Sequence, residues 1–189
     1  MAGLTEPIRR VEDLTRIDDY LGRRCKRDQM LWRVGVNTGL RISDLRLLRK
    51  RDVAGRTHIV IRMTKVGRMV RVPVNPVLRR WLDAYCSRLE DNDYLFPSRQ
   101  GWNKPITRSR AYQVLRQAAE ACGLQRIGTH SLRKTFGWHL YQETGDIALC
   151  MELFGHENQA ETLRYIGILG HDIDTAMRSF SVGGGSFRD

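Results

Sequence analysis

Apolar positions along the chain recur mostly at helical spacing. Val11, Leu14, Ile17 and Leu21 form one stripe, opened by acidic Glu12 and Asp13 and stopped by Gly22. Residues 30–36 continue as a buried helix ending at Thr38-Gly39, where glycine suits a left-handed cap. Ser43 is placed to cap a third helix through Leu45, Leu47 and Leu48, with Asp44 near its positive end. The period then changes. His58-Ile59-Val60-Ile61-Arg62 and Met69-Val70-Arg71-Val72 are β-branched and partly alternating, and they flank Lys65-Val66-Gly67-Arg68, which predicts a hairpin or small antiparallel sheet. Pro73 and Pro76 close it. Residues 77–89 read as helix, 91–101 as loop, and further helices follow at 107–122, 131–143, 146–154 and 158–169. A last stripe, Ile173, Ala176, Met177 and Phe180, has i, i+3, i+4, i+7 spacing, and Gly183 to Ser186 opens a flexible tail. The expected class is α+β, predominantly α-helical, with one small antiparallel β-sheet in the N-terminal third.

Composition adds a partner class. The 189 residues suffice for one packed domain, and 32 Lys+Arg against 21 Asp+Glu leave a net charge of +11. Such an excess favours a polyanion, nucleic acid being the commonest, with a solvated basic surface as the bland alternative. Cys25, Cys86, Cys122 and Cys150 lie far apart and form no CxxC pair, so neither disulfides nor a zinc site is indicated. No stretch resembles a signal peptide or a membrane span, which predicts a cytoplasmic protein without a membrane partner.

Several residues carry chemistry once the helices are placed. Arg41 sits in Thr38-Gly39-Leu40-Arg41-Ile42-Ser43-Asp44, at a turn entering a helix, where free N–H groups and a guanidinium together suit a phosphate. His130 and Arg133, three apart, share a face at a helix start, poor electrostatics unless an anion lies between them. His156 follows Gly155 just past a helix end, and Tyr165 lies nine residues further on. Taken singly, each has an ordinary reading: surface arginine, solvated pair, cap histidine, core tyrosine.

Together these elements resemble the tyrosine recombinase (phage integrase) family. The matches occur in family order: Thr-Gly-Leu-Arg at 38–41, a lysine hairpin at 64–68, His-x-x-Arg at 130–133, Gly-His at 155–156, and the tyrosine. Asp44 matches an acidic position three after the first arginine, and Pro73 the proline that ends the hairpin. The resemblance runs from about Leu4 to Phe180.

That resemblance implies a catalytic domain over 1–182, a tail over 183–189, and no N-terminal core-binding domain. It implies strand exchange on double-stranded DNA through a 3′-phosphotyrosyl link to Tyr165, needing no metal or cofactor. Arg41 and Arg133 would clamp the phosphate, and Lys65 would protonate the leaving 5′-oxygen. His130 would accept the tyrosine proton, His156 would donate to a non-bridging oxygen, and Asp44 would orient Arg41. A homo-oligomer on DNA, a tetramer joined through the C-terminal helix, is the implied assembly. Ile166-Gly167 departs from the many members that place a histidine two residues after the tyrosine. A type IB topoisomerase-like DNA-relaxing enzyme and a catalytically silent DNA-binding regulator remain alternatives. An RNA-binding helical protein explains the charge but not the ordered motifs.

Overall fold

In the computed structural model the described residues are 5–64 and 67–168. The expectations for Lys65, for the Ile173–Phe180 stripe and for the tail lie outside them. Helix α1 (Val11–Arg24) buries Ile17 and Leu21, with Glu12 and Asp13 in its first turn and Arg23 and Arg24 in its last, charges that complement its dipole. Helix α2 (Lys26–Thr38) is buried nearly all round and forms the centre of the large core. It stops at Gly39, whose φ of 62° is the left-handed cap expected there.

The next stretch differs from its sequence pattern. Ser43 does not cap a helix: α3 (Ile42–Leu45) is a single turn with Arg41 at its N-cap, and Ser43 lies inside it. The helix cannot run on, because the Leu48 carbonyl accepts from Leu95 N at 2.9 Å and Arg49 bridges Tyr94. Leu45 and Leu48 are buried, whereas Leu47 turns outward. A second short turn, α4 (Lys50–Val53), follows.

Strands β1 (His58–Arg62) and β2 (Met69–Pro73) pair antiparallel with Ile59 opposite Val72 and Ile61 opposite Val70. Ile59, Val70 and Val72 face the core, while Val60 is exposed, as the alternation requires. Helix α5 (Pro76–Cys86) is started by Asn75, whose Oδ1 accepts from Leu78 N at 2.8 Å, with Pro76 at the first position. The expected loop at 91–101 contains core residues: Leu95 and Phe96 are fully buried, and Pro97 bridges Pro105.

Helix α6 (Arg108–Ala121) is capped by Thr107. Helix α7 (Thr129–Thr144) begins two residues before the expected start, which brings His130 inside its first turn. Gly35 of α2 lies where an added Cβ would stand 2.6 Å from Leu132 Cδ1, so the α2–α7 crossing needs a hydrogen there. Helices α8 (Ile147–Phe154) and α9 (Gln159–Ile166) begin at Asp146 and Asn158, whose side chains accept main-chain N–H groups. They enclose a second, smaller apolar cluster of Phe154, Ile166 and Ile168. The N-terminal segment ties across α7: Ile8 N donates to Thr135 Oγ1 at 2.8 Å, and His139 Nε2 to the Ile8 carbonyl at 3.0 Å. Among the described residues no helix is long and apolar enough to cross a membrane.

Candidate active site

Arg133 projects from α7 into the junction of α2 and α8. It is 3% exposed, its Nη1 donates to the Gly39 carbonyl at 2.6 Å, and its Nη2 to the Phe154 carbonyl at 2.9 Å. The guanidinium carbon lies 4.1 Å over the Phe154 ring. Burial pushes this group down to about 10, neighbouring Arg41 pushes the same way, and Tyr165 and Asp44 oppose both. Arg41 approaches from α3. Its Nη2 donates to the same Phe154 carbonyl at 3.3 Å, and its Nη1 lies 3.1 Å from Met63 Sδ. Two cations thus converge on the last carbonyl of α8, at the negative end of that helix.

Tyr165 stands on α9 against this pair. Its ring meets Phe154 and His156 edge-on at centroid distances of 5.8 and 5.4 Å, and Lys134 Nζ lies 5.4 Å from its centre. The hydroxyl is 3.4 Å from His130 Nδ1, a long contact of the kind that substrate can tighten. Burial raises the phenol above its ordinary range, although Arg133 and then Arg41 pull it back. The two cations favour the phenolate, but burial outweighs them. His156 follows Gly155, the left-handed cap of α8, and its Nδ1 is 3.1 Å from Thr162 Oγ1. Thr162 Oγ1 itself donates to the Asn158 carbonyl at 3.1 Å. Thr162 thus links His156 to the first turn of α9.

The structure brings Arg41, Arg133, His130, His156 and Tyr165 to one locality. Two of the clefts elsewhere, one lined by Tyr112, Arg116 and Ile127 and one by Arg33, Trp81 and Tyr85, include none of them. His130 is exposed and Arg41 half-buried, so the group opens onto an accessible face.

The sequence model of the phage integrase family matches residues 9–169, most of the chain. The chain belongs to the phage integrase family. It is 40% identical to "Probable integrase/recombinase YoeC" of Bacillus subtilis (strain 168), covering 96% of this chain and 98% of that protein. It is 30% identical to tyrosine recombinase XerC of Roseiflexus sp. (strain RS-1), covering 75% of this chain but 48% of XerC. The chain thus spans nearly the whole of YoeC and about half of that Xer relative. In fold it resembles the crystal structure of XerA recombinase (TM-score 0.71, 22% identity, 94% of this chain and 67% of that one). It also resembles the catalytic domain of bacteriophage HP1 integrase (TM-score 0.63, 21% identity, 92% and 95%).

Within this integrase-family domain the Asp44 carboxylate has Thr64 as its hydrogen-bond partner rather than the Arg41 guanidinium. Its Oδ1 accepts from Thr64 N at 3.0 Å and from Thr64 Oγ1 at 2.5 Å, while Oδ2 is buried without a hydrogen bond. The carboxylate ties the end of β1 to α3, because α3 is one turn and Asp44 points to the hairpin rather than along the chain. Met63, Phe154 and Thr162 were not singled out by sequence reasoning. Each looks like ordinary core or helix surface, and each acts on the site through a sulfur, a main-chain carbonyl or a shared proton. Phe154 and Met63 stood beside motifs, directly before Gly155-His156 and before the hairpin at 64–68.

Proposed function

We propose that this domain is a site-specific recombinase that cleaves and rejoins double-stranded DNA through a phosphotyrosyl intermediate at Tyr165. One observation carries the reading: the Tyr165 hydroxyl is within reach of His130 and beside two arginines that converge on a single oxygen. A non-bridging phosphate oxygen presents similar acceptors to the same guanidiniums. Arginine forks onto two oxygens and holds its charge, which suits a transition state that gathers negative charge.

The chemistry runs as two matched transfers. The Tyr165 oxygen attacks phosphorus and its proton passes to His130 Nδ1. The bond to the 5′-oxygen breaks, and that oxygen takes a proton from Lys65. A 5′-hydroxyl of another strand then attacks the phosphotyrosine, so the ester bond is passed on rather than hydrolysed. With Nδ1 engaged by Thr162, His156 would reach a phosphate oxygen as a donor through Nε2. The +11 charge supplies the approach to DNA. The XerH crystal structures of similar fold (TM-scores 0.70 and 0.68) are complexes with difH substrate, and lambda integrase of similar fold (TM-score 0.69) is a dimer on a core site. That dimer on DNA supports an oligomer of this chain on DNA, and a tetramer acting in the cytoplasm is the state we propose.

A nicked duplex whose cleaved end diffuses away traps the covalent step. Wild type is expected to accumulate a protein–DNA adduct mapping to Tyr165, and Tyr165→Phe to form none while still binding DNA. An adduct with the phenylalanine variant overturns the nucleophile assignment. Supercoil relaxation without strand exchange would move the reading to a topoisomerase.

A further inference from the structure

The β-hairpin touches the site through one residue that the proposed chemistry does not use. Met63, directly after β1, is 2% exposed, and its sulfur lies 3.1 Å from Arg41 Nη1. A thioether is a weak acceptor, so it steers the guanidinium only if Met63 is itself held. Met63 N donates to the Arg68 carbonyl at 2.9 Å, and Arg68 is fixed in turn from α8. Its Nη2 donates to the Glu152 carbonyl at 2.9 Å and to the Glu152 carboxylate. Glu152 lies two residues before Phe154, whose carbonyl holds both arginines.

We propose that Arg68 and Glu152 are a positioning pair that pins the hairpin to the end of α8 and so fixes the guanidinium of Arg41. Two routes then set the geometry of Arg41 from the same helix end. One is direct, through the Phe154 carbonyl. The other runs from Glu152 through Arg68 and Met63 to the far side of the guanidinium. The pair is partly exposed, with Arg68 at 43% and Glu152 at 74%, so its contribution to folding is small. Its value lies in placement, because a small displacement of a charged group at a reacting phosphate is costly. The proposal rests on reading Arg41 as a phosphate clamp.

The test compares two nicked duplexes, one with an ordinary scissile phosphodiester and one with a neutral methylphosphonate there. A neutral phosphonate carries less charge into the transition state and depends less on an arginine. Glu152→Gln and Arg68→Ala are expected to slow cleavage of the phosphodiester by about tenfold and of the methylphosphonate by about twofold or less. Arg41→Ala is expected to show the same selectivity in larger measure. The reversed pair, Arg68→Glu with Glu152→Arg, is expected to recover part of the phosphodiester rate. Unfolding midpoints establish that each variant is folded. Equal losses on both substrates would mean that the pair merely supports the fold. Weaker DNA binding by Arg68→Ala, with an unchanged rate for Glu152→Gln, would make Arg68 a DNA contact. Either result overturns the proposal. If Arg41→Ala shows no selectivity, the clamp reading falls and the pair's role falls with it. If it does and the pair variants do not, only the pair is refuted.

Discussion

Arg133 leaves α7 between two main-chain carbonyls with its guanidinium over the Phe154 ring, whereas Tyr165 stands on an eight-residue helix and meets the same ring edge-on. The guanidinium is almost fully enclosed, and the ring is half-buried with its hydroxyl at a long 3.4 Å from its proton acceptor. Both α8 and α9 end in left-handed glycines, Gly155 and Gly167, which isolate them as short pieces. The contrast follows from what each side must do. A charge that stabilises a transition state is most effective when it needs no rearrangement, while a nucleophile must approach phosphorus and later leave it.

The largest effect expected from this contrast is at Arg133. Arg133→Ala removes a braced cation, and cleavage in the adduct assay is expected to fall by about 100-fold or more. A lysine there cannot fork between the Gly39 and Phe154 carbonyls, so Arg133→Lys should be nearly as poor. Near-normal activity of either variant breaks the comparison.

Two glycines separate the regions more finely. An added Cβ at Gly35 would meet Leu132 at 2.6 Å, and one at Gly137 would meet Ile166 at 2.6 Å and Phe154 at 2.7 Å. Overpacking of this kind costs about 1–3 kcal/mol. Gly35→Ala should lower the unfolding midpoint and leave cleavage per folded molecule close to normal. Gly137→Ala pushes on the cluster under Tyr165 and should reduce cleavage more than stability. Identical behaviour of the two would show that the clusters act as one.

A pH profile tests the electrostatics of the tyrosine side. Burial holds the Tyr165 phenol above its ordinary range, so the reactive phenolate increases with pH. In His130→Ala, where the proton must leave without that acceptor, the cleavage rate is expected to climb with pH as the phenolate forms. Wild type should be flatter, and a parallel climb in both would remove His130 from the proton path.

The smallest effect concerns the strap across α7. His139 is half-buried against the Ile8 carbonyl and titrates below its usual 6.5, with desolvation the leading cause. The unfolded chain therefore binds the proton more readily, and stability present above 6.5 is lost as pH falls below it. Thermal melts from neutral to mildly acid pH should show a smaller decline for His139→Gln than for wild type.

Much of this arrangement was legible in the sequence. Helical stripes, the hairpin and the Gly39 cap follow from local periodicity and turn chemistry, and the family motifs named Arg41, His130, Arg133, His156 and Tyr165, which the fold gathers. What was illegible is tertiary. Leu45, Leu47 and Leu48 have a helical pattern, but the pairing of Leu48 with Leu95 ends the helix at one turn. The resemblance gave Asp44, three residues after Arg41, the role of orienting it, whereas Thr64 just past β1 offers its carboxylate two donors in place. The shared carbonyl of Phe154 could not be read either, since a main-chain acceptor leaves no mark on residue identity.

That last property bears on how such a site drifts over generations. The oxygen on which both arginines meet belongs to the peptide chain, so no substitution at position 154 deletes it, and the same holds for the carbonyl at position 39. Inheritance can therefore vary the surrounding side chains, provided the two left-handed turns beside these carbonyls, at Gly39 and Gly155, still form. Lineages would then be expected to diverge in the packing around the arginines long before they lose the arginines' seat.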